Sequence, residues 1–381
     1  MSSEDFPGLT DIHAHPAMNA FLWGRDLRRH YWTGHHFNPL ASLTDFKMLE
    51  KGGVKVLWSS LHIPESQYFD CWYIKLAAHL FSGGRKILKL NAWECLLLMM
   101  AKMEQQVGRS GDRFEMAGSN AELDNVLKAG RTAIVHTVED GRVLGAGLGD
   151  DDLAGRLARV DELAKRGVAS ITLAHLFPNE LAGHTEGIPE KQRKSRLCPL
   201  HTQVDLTRGL TKAGEAVVKR MVEKRMVPDV THCTPKARTK VYELVKEESP
   251  DFPVIASHNG VRSMNDVPYN LDEADVKAIA DSGGVVGVIF MPYWLDQANP
   301  GRGLDAIWRT MEAIRALSGG SWDHVAIGTD FDGFTDPPDD CKNASELPLI
   351  RELLEGKGVS GSDAEAILGG NARRVLRAGW R

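Results

Sequence analysis

The chain has 381 residues, 43% of them hydrophobic and 25% charged, with 46 basic against 51 acidic side chains and a formal charge of -5. Those fractions describe a soluble globular protein and exclude disordered and fibrous classes, while the absence of a basic excess argues against a nucleic-acid binder. The length allows two or three domains, or one barrel of about 250 residues enlarged by insertions.

Short β-branched runs, each closed by a polar residue and followed by a helical pattern, recur along the chain. The first is LTDIHAH (9–15). The second, VKVLWSSLH (54–62), precedes a long connection, 63–131, that holds an apolar helical stretch around Trp93 to Met103 and a polar loop near GRSGDRF. TAIVHTVED (132–140) leads into GAGLGD (145–150), whose glycines lack the spacing of a dinucleotide loop and predict a turn. The helix DDLAGRLARVDELAKRG (151–167) and the strand ASITLAHL (169–176) follow. A second long connection, 177–213, is rich in Pro, Gly and charge, and its basic run from Lys191 to Arg196 predicts a solvated loop.

Beyond it, GEAVVKRMVEKR (214–225) is helical, and VPDVTHC (227–233) and PVIASHN (253–259) are strands. DEADVKAIADSGG (272–284) predicts a helix that Asp272 caps and Gly283 ends. GGVVGVIFM (283–291) and HVAIGTDFD (324–332) bring the strands to eight. Near-continuous apolar strands separated by helices predict a parallel sheet buried on both faces. Eight such repeats predict a single α/β domain over residues 1–381, a (β/α)8 TIM-type barrel with insertions after strands two and four. Loops after barrel strands line the active face, so the second insertion predicts a lid or pocket wall.

The five cysteines (Cys71, Cys95, Cys198, Cys233, Cys341) are odd in number, scattered and without C-x-x-C. They predict reduced thiols in a cytoplasm rather than a disulfide framework or a thiolate zinc knuckle. The leading MSSEDFPGLTD lacks a signal-peptide pattern, and the most apolar run, AWECLLLMMAKM, is broken by Glu94. At about a dozen residues it is shorter than the ~20 a bilayer crossing takes, so no membrane partner is expected.

The strand ends carry the chemistry. Strand one closes on His13 and His15, two apart and on one side. Strand three closes on Glu139, four on His175, five on His232, six on His258 and eight on Asp330. A lone histidine at a strand end is usually a hydrogen-bonded structural residue, and H-x-H alone is common. Six of eight strands ending this way is different: polar carboxyl ends of barrel strands converge on one mouth. Imidazoles with carboxylates suit zinc and similar divalent ions, and a bridging carboxylate suits a pair of them. His62 also ends a strand and reads as structural. His136 has the opposite parity to Glu139 and is expected to face the helices. Cys233, of opposite parity to His232, reads as a packed thiol. His35 and His36 follow Trp32 in a loop after strand one, where substrate contact and packing are equally open.

The segments TVEDG, GLTKAGEAVVKRMVEKRMVPDVTHC, PVIASHNGVRS, NLDEADVKAIADSGGVVGV, HVAIGTDFDGF and ILGGNARRVLR, with a looser DIHAHP, resemble the membrane (renal) dipeptidase family of the amidohydrolase superfamily. The resemblance covers roughly residues 130–377. It implies a barrel with two zinc ions, one held by His13, His15 and Glu139, the other by Glu139, His232 and His258. It further implies Asp330 as proton shuttle and His175 as the contact to the scissile carbonyl oxygen. The small-molecule substrate would be a dipeptide or related amide, and family members are often homodimers, although no interface stripe marks this sequence. Two departures stand out. His15 replaces the family's aspartate in H-x-D, and Tyr269 replaces the arginine that binds the dipeptide carboxylate. Tyrosine cannot make arginine's bidentate charged contact, which leaves Arg262 as a substitute. Tyr269 keeps open a different substrate for the same site, such as an N-acyl amino acid, a lactone or an aromatic acid, and a barrel without catalysis remains the third reading.

Overall fold

The computed structural model describes residues 8–33, 41–195, 199–299 and 302–381. Nine strands form one parallel sheet: β1 (Leu9–Ala14), β2 (Val54–His62), β3 (Phe114–Met116), β4 (Thr132–Glu139), β5 (Ser170–Thr172), β6 (Val227–Asp229), β7 (Ala256–Asn259), β8 (Val286–Val288) and β9 (Val325–Ile327). The strand order is β6-β5-β4-β2-β1-β9-β8-β7, with β3 added beside β4. A bridge between Asp229 and Ile255 joins the two ends of that path, so the eight predicted strands close into the (β/α)8 barrel. β3 was not foreseen. It lies inside the first long connection and is three residues long.

Several helices have a local reason to begin where they do. Asp272 caps Glu273–Asp281 in a reciprocal capping box with Asp275, and Gly283 beyond its end adopts φ 76, as the sequence predicts. Asn91 and Glu94 make the same box at the start of Ala92–Gly108, the apolar stretch of the first insertion. That helix buries Cys95, Leu96, Met99, Met100 and Met103 against the main core. A second, smaller core fills the bottom of the barrel: Ile12, Trp58, Val135, Val227 and Ile255 pack with Val375, Leu376 and Trp380 of the C-terminal segment. Trp380 thereby plugs the end opposite the mouth. Gly287 has no room for a side chain, since a Cβ there would stand 2.0 Å from the carbonyl oxygen of Ser257 on the neighbouring strand.

The second insertion lies over the mouth. Its Ala182 and His184 bridge to Leu210 and Cys233, and the N–H of Thr185 donates to the carbonyl of His232 at 2.8 Å. Trp294 donates its indole N–H to the carbonyl of Gly187 at 3.1 Å. These contacts hold the insertion against His232 and Trp294, at the barrel end to which its position after a strand assigns it. The basic run in it begins on a short helix, Glu190–Arg193, and Lys194 pairs with Glu190 at the surface; Arg196 lies outside the described residues, as do His35 and His36. Residues 145–147 form the expected turn.

One expectation needs correction. Cys71 is disulfide-bonded, whereas Cys95, Cys233 and Cys341 are free and buried and Cys198 lies outside the described residues. Sequence spacing gave no sign of this because a bridge depends on Cα atoms approaching to within about 7 Å, which only the fold decides. An apolar stripe was also missed: Trp72, Leu76 and Leu80, four apart on the helix Trp72–Leu80, are 69%, 57% and 72% exposed. No helix of the described residues is long and apolar enough to cross a membrane.

Candidate metal centre

The barrel brings seven of the nine sequence-predicted site residues together. His13 lies in β1 and His15 directly after it, Glu139 ends β4, and His258 lies in β7. His175, His232 and Asp330 lie three residues beyond the ends of β5, β6 and β9. The regular strands are thus shorter than the apolar runs that announce them. Asp140, His232 and Asp330 adopt φ of 78, 65 and 58, left-handed values that cost energy in non-glycine residues. At His232 and Asp330 this conformation accompanies side chains that join the cluster, whereas Asp140 pairs with Arg142.

Glu139 is the hub. Its Oε1 is 3.5 Å from His13 Nε2, 3.3 Å from His232 Nε2 and 3.4 Å from His258 Nε2. Its Oε2 is 3.5 Å from His15 Nε2. His13 Nε2 faces His15 Nε2 at 3.1 Å, and His232 Nε2 faces His258 Nε2 at 3.0 Å. Asp330 Oδ1 stands 3.1 Å from His15 Nε2 and 3.8 Å from His13 Nε2. The ligand candidates His13, His15, Glu139, His232 and His258 are all at most 3% exposed, while Asp330 and His175 reach 9%. The two residues expected to meet substrate are therefore those nearest the open side.

The charges fit that division. Burial works to raise the Glu139 carboxyl, but His175 and His13 beside it hold it well below the usual carboxylate range. Burial keeps His15 and His232 below the ordinary imidazole value, and burial together with the neighbouring His13 keeps His258 well below it. For His13, Glu139 and Asp330 outweigh burial and the shift is upward. For His175, burial is outweighed by Glu65 and Glu139, which push it up to about 9. Two neutral imidazole nitrogens facing each other satisfy one another only if one carries a proton. Lone pairs converging in two such pairs on a shared, ionised carboxylate are what a divalent cation needs. The groups His13–His15–Glu139 and Glu139–His232–His258 each place one ligand atom per residue within 4.8 Å of the others, so the donor set fits.

A surrounding layer holds two of these rings and the backbone beside the others, while His15 Nδ1 and His232 Nδ1 have no hydrogen-bond partner. Ser257 Oγ lies 3.0 Å from His13 Nδ1 and 2.9 Å from His258 Nδ1, joining one member of each pair. Asp11, inside β1, accepts the N–H of His13 at 3.1 Å and the N–H and hydroxyl of Thr329 at 3.0 and 2.6 Å. Asp229, inside β6, accepts the N–H of Thr231 at 3.0 Å, that of Ser257 at 3.1 Å and the hydroxyl of Thr172 at 2.6 Å. Orienting partners of this kind set ligand geometry nearly as much as the ligands do.

Arg262 and Tyr269 are not brought into the cluster. Arg262 is engaged by Asp266, its Nε and Nη2 both 2.7 Å from Oδ1. Tyr269 is buried and its ring lies 4.5 Å from that of Trp294, which in turn faces His232 at 5.5 Å. It is one aromatic ring removed from the centre. His62, read as structural, does belong to the site: its Nδ1 is 3.5 Å from Glu139 Oε2, and it forms a third ligand group with Glu139 and His175. Glu65, three residues on, was missed altogether. His136 lies outside the cluster, 3.7 Å from Glu104 of the first-insertion helix, as its parity predicts. Cys233 is buried and free, and burial pushes its thiol up to about 12, which fits packing rather than attack.

Comparison with known proteins gives the family and the fold. Residues 17–379 match the model of the membrane dipeptidase family, peptidase family M19. A Klebsiella pneumoniae protein described as an uncharacterized protein in the pqqA 5'region is 28% identical over 298 residues, 76% of this chain and 97% of that protein. The dipeptidase verJ of Clonostachys rogersoniana is 26% identical over 270 residues, 71% of this chain, which spans only 61% of that relative's length. The crystal structure of a metallo peptidase from Rhodobacter sphaeroides, liganded with a phosphinate mimic of the dipeptide L-Ala-D-Ala, superposes with a TM-score of 0.77 at 17% identity, covering 99% of this chain and 100% of that one. With its barrel, its histidine pairs and a family match spanning nearly the whole sequence, the chain belongs to the membrane dipeptidase family.

Proposed function

We propose that this metal-dependent hydrolase of small amides cleaves dipeptides at a centre of two divalent cations, zinc by preference. The observation that carries the reading is the pair of facing imidazole couples around one ionised carboxylate. His13 and His15 would hold one cation, His232 and His258 the other, and Glu139 would bridge them. When bound, such a pair supplies Lewis acidity and brings the pKa of coordinated water to about 7. Asp330, at the open edge of the cluster, takes the proton of the attacking water and returns it to the leaving amine. His175 donates Nε2–H to the carbonyl oxygen as negative charge grows there, a type of contact worth about 3–4 kcal/mol. The insertion wall with Trp294 excludes bulk water.

The relative named as a dipeptidase and the like-folded metallopeptidase liganded with a dipeptide mimic support the substrate class. To reach Arg262, a substrate carboxylate has to displace Asp266. A panel of dipeptides and N-acyl amino acids assayed with added zinc tests the reading, and turnover of acyl amino acids but no dipeptide would remove the dipeptide assignment. Elemental analysis should find about two zinc ions per chain; fewer than one would sink the whole reading. Dialysis against a chelator is expected to abolish turnover and lower the melting temperature, zinc restoring both. A ligand at 100 times its Kd contributes about 2.7 kcal/mol of stability.

A homodimer belongs to the same reading, supported by the exposed stripe of Trp72, Leu76 and Leu80. A cytoplasmic address is supported by the free thiols of Cys95, Cys233 and Cys341 among the described residues and opposed by the disulfide at Cys71. Light scattering and a thiol count with and without reductant decide these two points.

A further inference from the structure

Beside the histidine couples lies a closed ring of alternating acid and base groups that the mechanism above does not use in full. Glu65 Oε1 is 2.5 Å from His175 Nδ1, and Glu65 Oε2 is 3.4 Å from His62 Nε2. The other nitrogen of each ring turns to Glu139: His175 Nε2 is 3.8 Å from Oε1 and His62 Nδ1 is 3.5 Å from Oε2. The two imidazoles pack at 4.2 Å between centroids. Only the contact between Glu65 and His175 is a hydrogen bond; the other three are ion-pair distances, and Glu65 Oε2 and His62 Nδ1 have no hydrogen-bond partner. Glu65 is fully buried, and it lies just past β2, two strands away from β5, which carries His175. A charged side chain is rarely placed in such a position unless it is paired.

We propose that Glu65 is the positioning residue of the centre: by accepting the Nδ1–H of His175 and lying beside His62 Nε2, it fixes which nitrogen of the His175 ring faces Glu139 and the reacting substrate. An imidazole has two nitrogens of opposite capability, and its hydrogen-bonded partner decides which one is presented. Without Glu65, His175 is free to turn over and offer either nitrogen to the carbonyl oxygen. A carboxylate hydrogen-bonded to His175 Nδ1, with the His62 ring packed beside it, removes that choice for His175.

The role assigned to His175 rests on the function proposed above, whereas the orientation of the rings does not, and the test separates them. Glu65→Gln keeps the shape but replaces one acceptor oxygen with an NH2 donor, which cannot accept an N–H. In the zinc-loaded protein, the imidazole proton held between Glu65 and His175 should give a strongly downfield resonance, identified by its loss in His175→Gln. Glu65→Gln is expected to shift or erase that resonance with zinc content unchanged, whatever substrate the enzyme takes. With the substrate that the panel identifies, kcat should fall by about 10- to 100-fold, the usual cost of an orienting partner, with KM within about twofold. Glu65→Asp, which keeps the charge at shorter reach, should recover part of kcat. An unchanged resonance in Glu65→Gln, or a wild-type kcat, would overturn the proposal. So would the loss of one zinc per chain, since His62 and His175 would then be ligands of a further cation. Absence of dipeptide turnover with the resonance shifted would count against the dipeptide reading alone.

Discussion

Asp330→Asn is expected to keep its metal and its fold while turnover falls by about 10²- to 10⁴-fold, the range for loss of a general acid–base group. Asparagine has nearly the same shape but cannot accept a proton. The position is costly to build, since Asp330 is held at φ 58, and it is among the most open members of a cluster otherwise sealed. Its Oδ1 approaches His15 Nε2 at 3.1 Å, so it stands beside the ligands rather than behind them. Measuring kcat together with zinc content reads both halves of the claim. Near-normal kcat would remove Asp330 from proton transfer, and loss of zinc would move it into the ligand set, where its grouping with His13 and His258 would place it.

The largest effect on stability is expected far from the mouth. Arg238 is completely buried and its Nη2 meets Asp275 Oδ2 at 2.9 Å; Nη1 and Nη2 also donate to the carbonyls of Pro268 and Asn270 at 3.4 and 3.3 Å, while Nε has no hydrogen-bond partner. Asp275 also receives the hydroxyl of Tyr242 at 3.3 Å and closes the capping box with Asp272. Burial raises its carboxyl despite the guanidinium beside it. Asp275→Asn leaves the Arg238 charge buried without its counter-ion, which typically costs about 3–5 kcal/mol. Denaturant titration should show that loss. The double variant Arg238→Met with Asp275→Asn should be more stable than the single one, because no charge is then stranded. Wild-type stability of the single variant would show that the pair contributes nothing.

The barrel was legible because buried parallel strands must be apolar on both faces, and eight such runs stood out between helices. β3 was not, since three residues of FEM after a polar loop carry no periodicity. His13, Glu139, His232 and His258 could be read from their place at strand ends, where only convergence explains repeated polar closure. Glu65 could not, because its chemistry depends on His175, 110 residues later, and nothing local distinguishes it from a loop acid. Its one available signal was its spacing from His62, which ends β2 with Glu139 as its register partner. Asp11 and Asp229 hid for a similar reason: a single acid inside an apolar strand looks like an interruption until neighbouring strands supply N–H groups to it. The Tyr269 expectation came from a position in a motif, and packing against Trp294 rather than sequence distance decides what that ring reaches.

His232 follows β6 and His258 lies in β7, the two ends of the sheet path that meet through the single bridge between Asp229 and Ile255. Whatever draws those two rings to one point also staples the cylinder along its thinnest seam. On the function proposed above, loading the centre and locking the wall would be one event, and the chain without a cation there would be weakest where its chemistry is housed.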